Sequence, residues 1–358
     1  MATTNSSLSL AEKLDFLPAL VSIFVGATYS LFTGLWRSER EAKTLALHFG
    51  YAISRQATAR LSPKQMQAVL PSSNDIYKSY AKKAGVTPRS VDLGHGAMGH
   101  WVGEPDAKSI LIWYHGGGFS LPANLGYYKF YAQVIDDLKR AGKEVAIFSL
   151  EYTLAPIATY PTQLRQAVAA ARYIISDLKH DPSTVFLGGD SAGGNLVCGV
   201  LSHAAHPHPQ IEPLDLNGHK FAGANMIAPW TLLDTEFPPE RMIYHGGDLI
   251  TTAVAGPWSS AYLGDAQRDN YTDCYHAPPD WFKTFPVSKM LITGGGNEIM
   301  LPIIQEFAEK VQKGFPDVEM FVGHRECHVA PVYNLELGST EETEQGKKMK
   351  SWLRELAQ

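Results

Sequence analysis

The chain has 358 residues, of which 45 % are apolar, so it can bury a sizeable core in one large α/β domain with additional helices. Its formal net charge of −5 is mild for this length, and the interspersed charges form no basic stripe, which argues against a nucleic-acid partner. The three cysteines stand at unrelated spacings, so we expect neither a disulfide framework nor a cysteine-based metal site.

The first predicted element is the uncharged segment Phe16–Trp36, which is about long enough to cross a bilayer. The residues before it do not form a signal-peptide pattern. Two interpretations stay open: a membrane anchor, or a helix that packs on the rest of the chain or lies on a membrane surface. Arg37, Arg40 and Lys43 would keep the domain that follows an anchor in the cytosol. We therefore expect a cytosolic protein or one associated with the endoplasmic-reticulum membrane.

Residues 38–90 are predicted to form helices separated by loops, and short apolar segments then alternate with longer amphipathic ones. This alternation predicts an α/β domain with a mostly parallel, doubly wound sheet. The predicted strands are Ser109–Tyr114, Glu144–Leu150, Thr184–Gly188, Ala222–Ile227, Lys289–Thr293 and Val318–Val322. The predicted helices of this domain are Tyr127–Ala141, Thr162–Lys179, Leu196–Ala205, Pro302–Lys313 and Glu341–Leu356.

The chain is accordingly divided near residue 90. Residues 1–90 would hold the apolar segment and cap helices, and residues 91–358 the α/β domain. An irregular stretch at about 229–288, rich in Pro, Trp, Tyr and Gly, is expected to form a lid or part of a pocket. Three of its tryptophans could line that pocket or pack in the core: Trp230, Trp258 and Trp281.

A nucleophile is predicted at Ser191, at the centre of the Gly-x-Ser-x-Gly pattern of residues 189–193. The pattern follows a predicted strand and precedes a predicted helix, where flanking glycines permit the tight turn that exposes a serine above a sheet. A serine hydroxyl needs a neighbouring base and a site for oxyanion charge. Asp190 is expected to order the turn and to take no part in proton transfer.

A second glycine motif, the His-Gly-Gly-Gly of residues 115–118, follows the strand Ser109–Tyr114. Glycines at the carboxyl end of a strand leave backbone N–H groups open to a bound oxygen. We expect the N–H groups of Gly116 and Gly117, with that of Ala192, to form an oxyanion hole. A phosphate-binding loop is the alternative, but no Gly-Lys-Ser/Thr follows the glycines.

Together, these motifs and the segment Ser149–Pro156 resemble the hormone-sensitive-lipase-like group of α/β-hydrolases. The apolar N-terminus and the Tyr-Pro-Thr-Gln-Leu, Leu-Ser-His and Ala-Pro-Trp segments resemble its fungal steryl-acetyl-hydrolase-like branch more narrowly. The resemblance implies an α/β-hydrolase fold with a helical cap, formed here by the N-terminus and the insertion. It also implies hydrolysis of esters with a short acyl group or a bulky alcohol.

The resemblance places a histidine base in the loop after the last strand, where His324 and His328 are both candidates. The sequence His328–Pro331 matches the His-x-x-Pro pattern of the branch, so His328 is favoured over His324.

The acidic partner is expected after the penultimate strand, but the group's Asp-x-Leu-x-Asp pattern is absent there. Asn297 cannot carry the compensating negative charge, whereas Glu298 can, so Glu298 is the predicted acid.

No metal site or cofactor is predicted. His203, His206 and His208 lie in a proline-interrupted segment that fixes no common ligand face, and we expect a solvated loop there.

The sequence thus predicts a cofactor-independent serine carboxylesterase or deacetylase with Ser191, His328 and Glu298 as its triad. Its substrate would be a small-molecule ester of an apolar alcohol such as a sterol or a secondary metabolite. Two alternatives stay open on the same fold: a biosynthetic acyltransferase or cyclase, and a non-catalytic ligand-binding relative. The sequence leaves the oligomeric state open.

Overall fold

One sheet organises the α/β part of the molecule. A computed structural model describes residues 8–233 and 246–358 of the chain. Strands β1 to β8 cover, in chain order, Ser90–Gly94, Ala97–Val102, Ser109–Tyr114, Val145–Glu151, Val185–Asp190, Gly223–Ile227, Met290–Gly295 and Val318–Gly323. They join in the order β1-β2-β4-β3-β5-β6-β7-β8. Strand β2 is antiparallel to both neighbours, and every pair from β4 to β8 is parallel.

The helices of the described residues connect and flank these strands. Helices α1 to α12 cover Leu10–Thr33, Leu45–Arg60, Pro63–Val69, Ser73–Ala84, Leu125–Arg140, Thr162–Arg172, Ala192–Ala205, Ala255–Leu263, Pro279–Phe282, Leu301–Gly314, Ala330–Glu336 and Glu344–Leu356. Short 3-10 turns lie at Gly34–Trp36, Pro182–Thr184, Thr252–Val254 and Cys274–His276, and a π-helical turn at Tyr173–Asp177 follows α6.

The central strands are buried along their whole length. Every residue of β3, β5 and β7 is buried, which explains why these strands are continuous apolar or small-residue runs without polar alternation. Helices α5 and α12 contact each other, and α5 also contacts β4 while α12 contacts β7 and β8. Helices α6 and α7 likewise contact each other, and α6 also contacts β1 and β3 while α7 contacts β3 and β5. Burial of apolar surface between these helices and the sheet supplies the main core.

The register of the parallel strands brings their carboxyl ends to one edge. The residue pairs that mark this edge are Tyr114 with Gly189, Asp190 with Ile227 and Gly295 with Gly323. The segments that leave β3, β5, β7 and β8 therefore emerge side by side. These segments carry the glycine loop, Ser191, Glu298 and His328.

The N-terminal helices form a separate layer. Helix α1 begins with a capping box between Ser9 and Glu12, and its small-residue face packs on α2. Asp15 of α1 pairs with Arg60 at the end of α2 at 2.5 Å. The other face of α1 is apolar and exposed, with Leu14 and Phe24 about 70 % accessible. Residues 10–36 are long and apolar enough to cross a membrane by length and composition, and 22 % of an apolar 18-residue stretch within them is buried.

The structure confirms the predicted α/β-hydrolase fold and corrects several elements. The sequence did not predict β1 and β2, which are short antiparallel strands at one edge of the sheet. The helix predicted over Thr162–Lys179 is regular only to Arg172. Of the insertion predicted at 229–288, residues 234–245 lie outside the described residues, and the rest contains α8 and α9.

Candidate active site

Ser191 occupies a strained turn between β5 and α7. Its backbone has φ 51° and ψ −118°, a conformation that non-glycine residues adopt at a cost of about 1–3 kcal/mol. Two backbone hydrogen bonds hold it there, from Ser191 N–H to the Ile227 carbonyl and from Trp230 N–H to the Ser191 carbonyl, both at 2.9 Å. The turn therefore fixes the hydroxyl above the carboxyl edge of the sheet.

The glycines on either side of Ser191 are required by close backbone contacts. A Cβ at Gly193 would lie 1.8 Å from the Tyr114 carbonyl oxygen, and one at Gly189 would lie 2.4 Å from the Gly193 carbonyl oxygen. Both contacts involve main-chain atoms, which cannot move aside as a side chain could. The Gly-x-Ser-x-Gly pattern is thus a steric requirement of this turn.

His328 and Glu298 form a buried pair. His328 Nδ1 lies 3.1 Å from Glu298 Oε1, and the two side chains are 4 % and 0 % exposed. The second carboxylate oxygen, Oε2, accepts the N–H of Gly295 at 2.5 Å. A carboxylate at Nδ1 orients the imidazole and leaves Nε2 as the atom able to accept a proton.

The charges around His328 change its proton affinity. Burial on its own lowers the pKa of an imidazole, but the hydrogen bond and negative charge of Glu298, with the charges of Asp248 and Asp190, raise the pKa of His328 above its ordinary value. An imidazolium that forms here is therefore stabilised. That is the property required of a base that must hold a proton during a reaction.

The rejected candidates lie elsewhere. His324 is exposed, and its backbone N–H donates to Glu344 at 2.7 Å. The Asn297 amide donates to the carbonyl oxygens of Glu39 and Glu41, in the segment between α1 and α2. The loop after β7 therefore turns Glu298, and not Asn297, towards His328.

The glycine loop requires a correction at Gly116. Its N–H donates to the Tyr127 hydroxyl at 2.9 Å, so this amide is used inside the core and is not directed at the cavity. Gly117 and Gly118 line the cavity beside Ser191, and their N–H groups have no acceptor among the described residues. The loop contributes its second and third glycines to the cavity, one position later than predicted.

Asp190 lies beneath the nucleophile in a buried polar cluster. Its carboxylate accepts the Tyr127 hydroxyl at 2.6 Å and the Trp113 indole N–H at 3.1 Å. Burial raises the pKa of Asp190 to about 6 in spite of these donors. The cluster therefore joins β3, α5, the turn that carries Ser191 and the glycine loop.

Ser191 and His328 open into one cavity of about 420 Å³. Helices α2 and α3 form one wall of the cavity. The glycine loop forms a second wall with Trp230 and Trp258, and the loops that carry Glu298 and His328 form a third. Its apolar lining includes Ile53, Ala57, Met66, Trp230, Trp258 and Met300. Trp281, in contrast, stacks on His206 and donates to Ser202, so it belongs to a different contact.

The sequence missed Asp248, which is buried beside the pair. Its carboxylate accepts three backbone N–H groups, from Leu249, Ile299 and His328, at 2.7–2.8 Å. Burial, reinforced by the charge of Glu298, raises the pKa of Asp248 to about 6. No local motif marks this residue, because it lies in the irregular insertion and reaches its partners only in the folded chain.

The histidines of the segment 203–208 are not a solvated loop as predicted. His203 and His208 are buried, and His203 Nδ1 accepts the N–H of His208 at 3.0 Å. His203 Nε2 also lies 3.0 Å from the Glu212 carbonyl oxygen, so its ring is used in the packing of the loop after α7. Within residues 8–233 and 246–358, no three His, Cys, Asp or Glu side chains converge as a metal site would require.

Comparisons with known proteins give a consistent result. A family model described as alpha/beta hydrolase fold matches residues 111–331, more than half of the chain. Steryl acetyl hydrolase 1 of Saccharomyces cerevisiae is 29 % identical over 251 residues, which cover 64 % of this chain and 56 % of that protein. Hormone-sensitive lipase of Mus musculus is 28 % identical over 173 residues, which cover 47 % of this chain and 21 % of that protein.

A solved structure shares the fold. The crystal structure of an esterase from the bacterial hormone-sensitive lipase family superposes with a TM-score of 0.61 at 20 % identity, covering 88 % of this chain and 99 % of that one. The chain spans about half, or less, of the length of the curated relatives that it matches.

Proposed function

This chain belongs to the hormone-sensitive-lipase-like α/β-hydrolases, and from that premise we propose that it is a serine carboxylesterase or deacetylase. The observation that carries the proposal is the meeting, in one apolar cavity, of Ser191 on its strained turn and the buried His328–Glu298 pair. Its substrate is a short-acyl ester of a bulky apolar alcohol.

In the first half of the reaction, Ser191 Oγ attacks the ester carbonyl while its proton passes to His328 Nε2. Glu298 stabilises the imidazolium through Nδ1. The tetrahedral oxyanion is held by the N–H groups of Gly117, Gly118 and Ala192. Cleavage of the carbon–oxygen bond releases the alcohol, which takes the proton from His328 and leaves an acyl group on Ser191.

In the second half, a water molecule gives a proton to His328 Nε2 and attacks the acyl carbonyl. The tetrahedral intermediate collapses, Ser191 regains its proton, and the carboxylic acid leaves. Neither half of this reaction requires a metal or an organic cofactor, because backbone N–H groups stabilise the oxyanion and Glu298 stabilises the imidazolium of His328.

The cavity supports an apolar substrate. Apart from His328, Tyr333 and Glu336, its lining residues carry no ionisable group among the described residues. A cavity of about 420 Å³ falls in the range of small-molecule pockets. A sterol-like or other secondary-metabolite ester fits this lining, and the similarity to steryl acetyl hydrolase 1 of yeast supports an acetyl ester.

We also propose that α1 associates with a membrane surface. Its exposed face is apolar, while Glu12 and Asp15 on the other face bind Ser62 and Arg60, which keeps the helix against the enzyme. Flotation of the protein with phospholipid vesicles should be lost in a Leu14→Glu, Phe24→Glu double variant. Val86→Glu, at an exposed apolar site outside α1, is the control and should float like the unchanged protein.

Purified protein should hydrolyse p-nitrophenyl acetate and react with a fluorophosphonate probe. Ser191→Ala should abolish both, whereas Ser54→Ala, on the α2 wall of the same cavity, should retain both. A stoichiometric burst without turnover would redirect the proposal to acyl transfer, because the acyl-enzyme would then await another acceptor. Failure of the probe to label Ser191 would contradict the serine mechanism.

The natural ester can be sought by mass spectrometry. Cell extracts incubated with the active protein and with Ser191→Ala should differ in one or more metabolites that lose an acyl group. An acetylated apolar alcohol among them would support the proposed substrate class. A hydrolysed thioester or amide in its place would contradict it.

A further inference from the structure

Asp248 connects the two loops that carry the proposed base and acid. Its Oδ1 accepts the N–H of His328 itself at 2.8 Å. Its Oδ2 accepts the N–H of Ile299, the residue after Glu298, also at 2.8 Å. One side chain therefore fixes the backbone on both sides of the His328–Glu298 contact, although β7 and β8 deliver the two loops separately.

These hydrogen bonds are formed away from solvent. Asp248 has no exposed surface, and Oδ1 also accepts the N–H of the neighbouring Leu249 at 2.7 Å. Bonds from backbone N–H groups to a carboxylate are stronger than neutral ones, and a low-dielectric surrounding strengthens them further. Loss of the charge would therefore loosen both loops at once.

The turn that carries Asp248 is itself held by the N-terminal layer. Arg55 of α2 donates to the carbonyl oxygens of Gly246 and Asp248. A Cβ at Gly247 would lie 2.3 Å from the Arg40 carbonyl oxygen and 2.7 Å from the Asn297 amide nitrogen. The turn is thus enclosed between the segment after α1 and the loop that bears Glu298.

The charge of Asp248 also affects the protonation of His328. The charged groups that act on the imidazole are Glu298 from the loop after β7, Asp248 from the insertion and Asp190 from the end of β5. All three are acidic, and each favours the protonated ring. Removal of the charge of Asp248 lowers the affinity of His328 for a proton.

We propose that Asp248 is a positioning residue, which sets the distance and orientation between His328 and Glu298 and favours the imidazolium formed during acyl transfer. The proposal rests on the serine mechanism given above. It extends that mechanism from three side chains to a fourth, in the insertion, which Arg55 links to the N-terminal helices.

The test compares Asp248→Asn with Glu326→Gln. Glu326 is a matched control: a buried carboxylate in the loop of His328 that accepts backbone N–H groups of Glu344 and Gln345 but makes no contact with the imidazole. Competent sites are first counted with the fluorophosphonate probe, so that rates are given per reactive Ser191 and misfolded protein does not contribute.

Per reactive site, Asp248→Asn should lower kcat for p-nitrophenyl acetate by about 10- to 100-fold, the usual cost of a misplaced catalytic group. KM should change little, and the acidic limb of the kcat/KM profile should move to lower pH. Glu326→Gln should keep the kcat and the limb of the unchanged protein. If Asp248→Asn leaves both kcat and the acidic limb of the kcat/KM profile unaltered, the proposal is overturned. If the fluorophosphonate probe does not label Ser191 in the unchanged protein, the serine mechanism itself is overturned.

If Asp248→Asn gives no soluble protein, the contact can be tested from its other end with Arg55→Gln. This variant should reduce kcat per reactive site several-fold, because the turn of Asp248 loses its link to α2. An unaltered kcat and pH limb in soluble Arg55→Gln would overturn the proposal in the same way.

Discussion

The two halves of the candidate site are built by different means. On the nucleophile side, five consecutive residues make the turn, and its shape depends on main-chain contacts around Gly189 and Gly193. On the relay side, His328, Glu298 and Asp248 come from three loops far apart in the sequence and are joined by buried charges. The first half is a steric construction and the second an electrostatic one.

This difference predicts how each half should fail. A substitution that adds atoms to the turn meets main-chain atoms, so the free energy of unfolding should fall. A substitution that removes a charge from the relay leaves the packing intact but disturbs proton transfer, so kcat should fall. Ser191 itself is the exception, because it lies on the steric side and performs the chemistry.

The largest effect is expected at Ser191. Ser191→Ala should reduce kcat by about a millionfold, as for other serine hydrolases that lose the nucleophile. Ser191→Gly should be equally inactive but more stable than Ser191→Ala by about 1 kcal/mol, since glycine adopts φ 51° without strain. Esterase assays and urea unfolding measure the two effects. Equal stability of the two variants would contradict the assignment of strain to this turn.

The next largest effect is expected at the acid. Glu298→Gln keeps the shape of the side chain but removes the charge beside Nδ1, so kcat should fall by about 1,000- to 10,000-fold. Asn297→Asp should leave kcat unchanged, because that side chain is directed at the segment between α1 and α2. Full activity in Glu298→Gln would rule out its role as the acid.

Sequence reasoning was strongest where the site is local. Ser191 could be predicted from five neighbouring residues because the turn needs glycine at fixed offsets. The same reasoning placed the oxyanion donors one residue too early, since nothing near Gly116 shows that the hydroxyl of Tyr127 accepts its N–H. Asp248 could not be predicted at all, because its three partners are defined only by tertiary contacts.

The fold shows the same limit. The parallel strands were predictable because each is a buried apolar run, whereas the edge strand β1 alternates between exposed and half-buried residues and resembles a loop. The relay side depended on resemblance to a family: two histidines follow β8, and the His-x-x-Pro pattern of the branch, with the greater distance of His328 from the strand, favoured His328 over His324.

A third prediction concerns the steric side alone. Gly193→Ala adds a methyl group 1.8 Å from the Tyr114 carbonyl oxygen, and strand β3 cannot withdraw without breaking its pairing with β5. We expect a loss of more than about 4 kcal/mol in the free energy of unfolding, seen as insoluble protein or a collapsed urea midpoint. Gly142→Ala is the control, since no atom of the described residues, apart from its chain neighbours, lies within 4 Å of its Cβ position, although its φ of +78° carries its own smaller cost.

A fourth prediction concerns the electrostatic side through pH. His328 must be neutral to accept a proton, and its pKa is raised above the ordinary value of about 6.5, so the midpoint of the rise of kcat/KM with pH should lie above pH 6.5. At pH values well below that midpoint, kcat/KM should fall about tenfold per pH unit. The midpoint should move to lower pH in Glu298→Gln. The raised pKa also means that His328 stabilises the fold fully at acidic pH, and that this contribution is lost as pH rises through the folded value.

The smallest effect is expected at Tyr127, which connects the glycine loop to Asp190 beneath the nucleophile. Tyr127→Phe removes the hydroxyl that accepts the Gly116 N–H and donates to Asp190, which should reduce the free energy of unfolding by about 1–3 kcal/mol. Tyr152→Phe is the matched control, because its hydroxyl donates to carbonyl oxygens of the same loop. If Gly116 is structural, as its bonded amide indicates, Tyr127→Phe should change kcat no more than Tyr152→Phe does. A much larger fall in kcat for Tyr127→Phe alone would show that the steric half of the site depends on a buried polar cluster as much as the relay does.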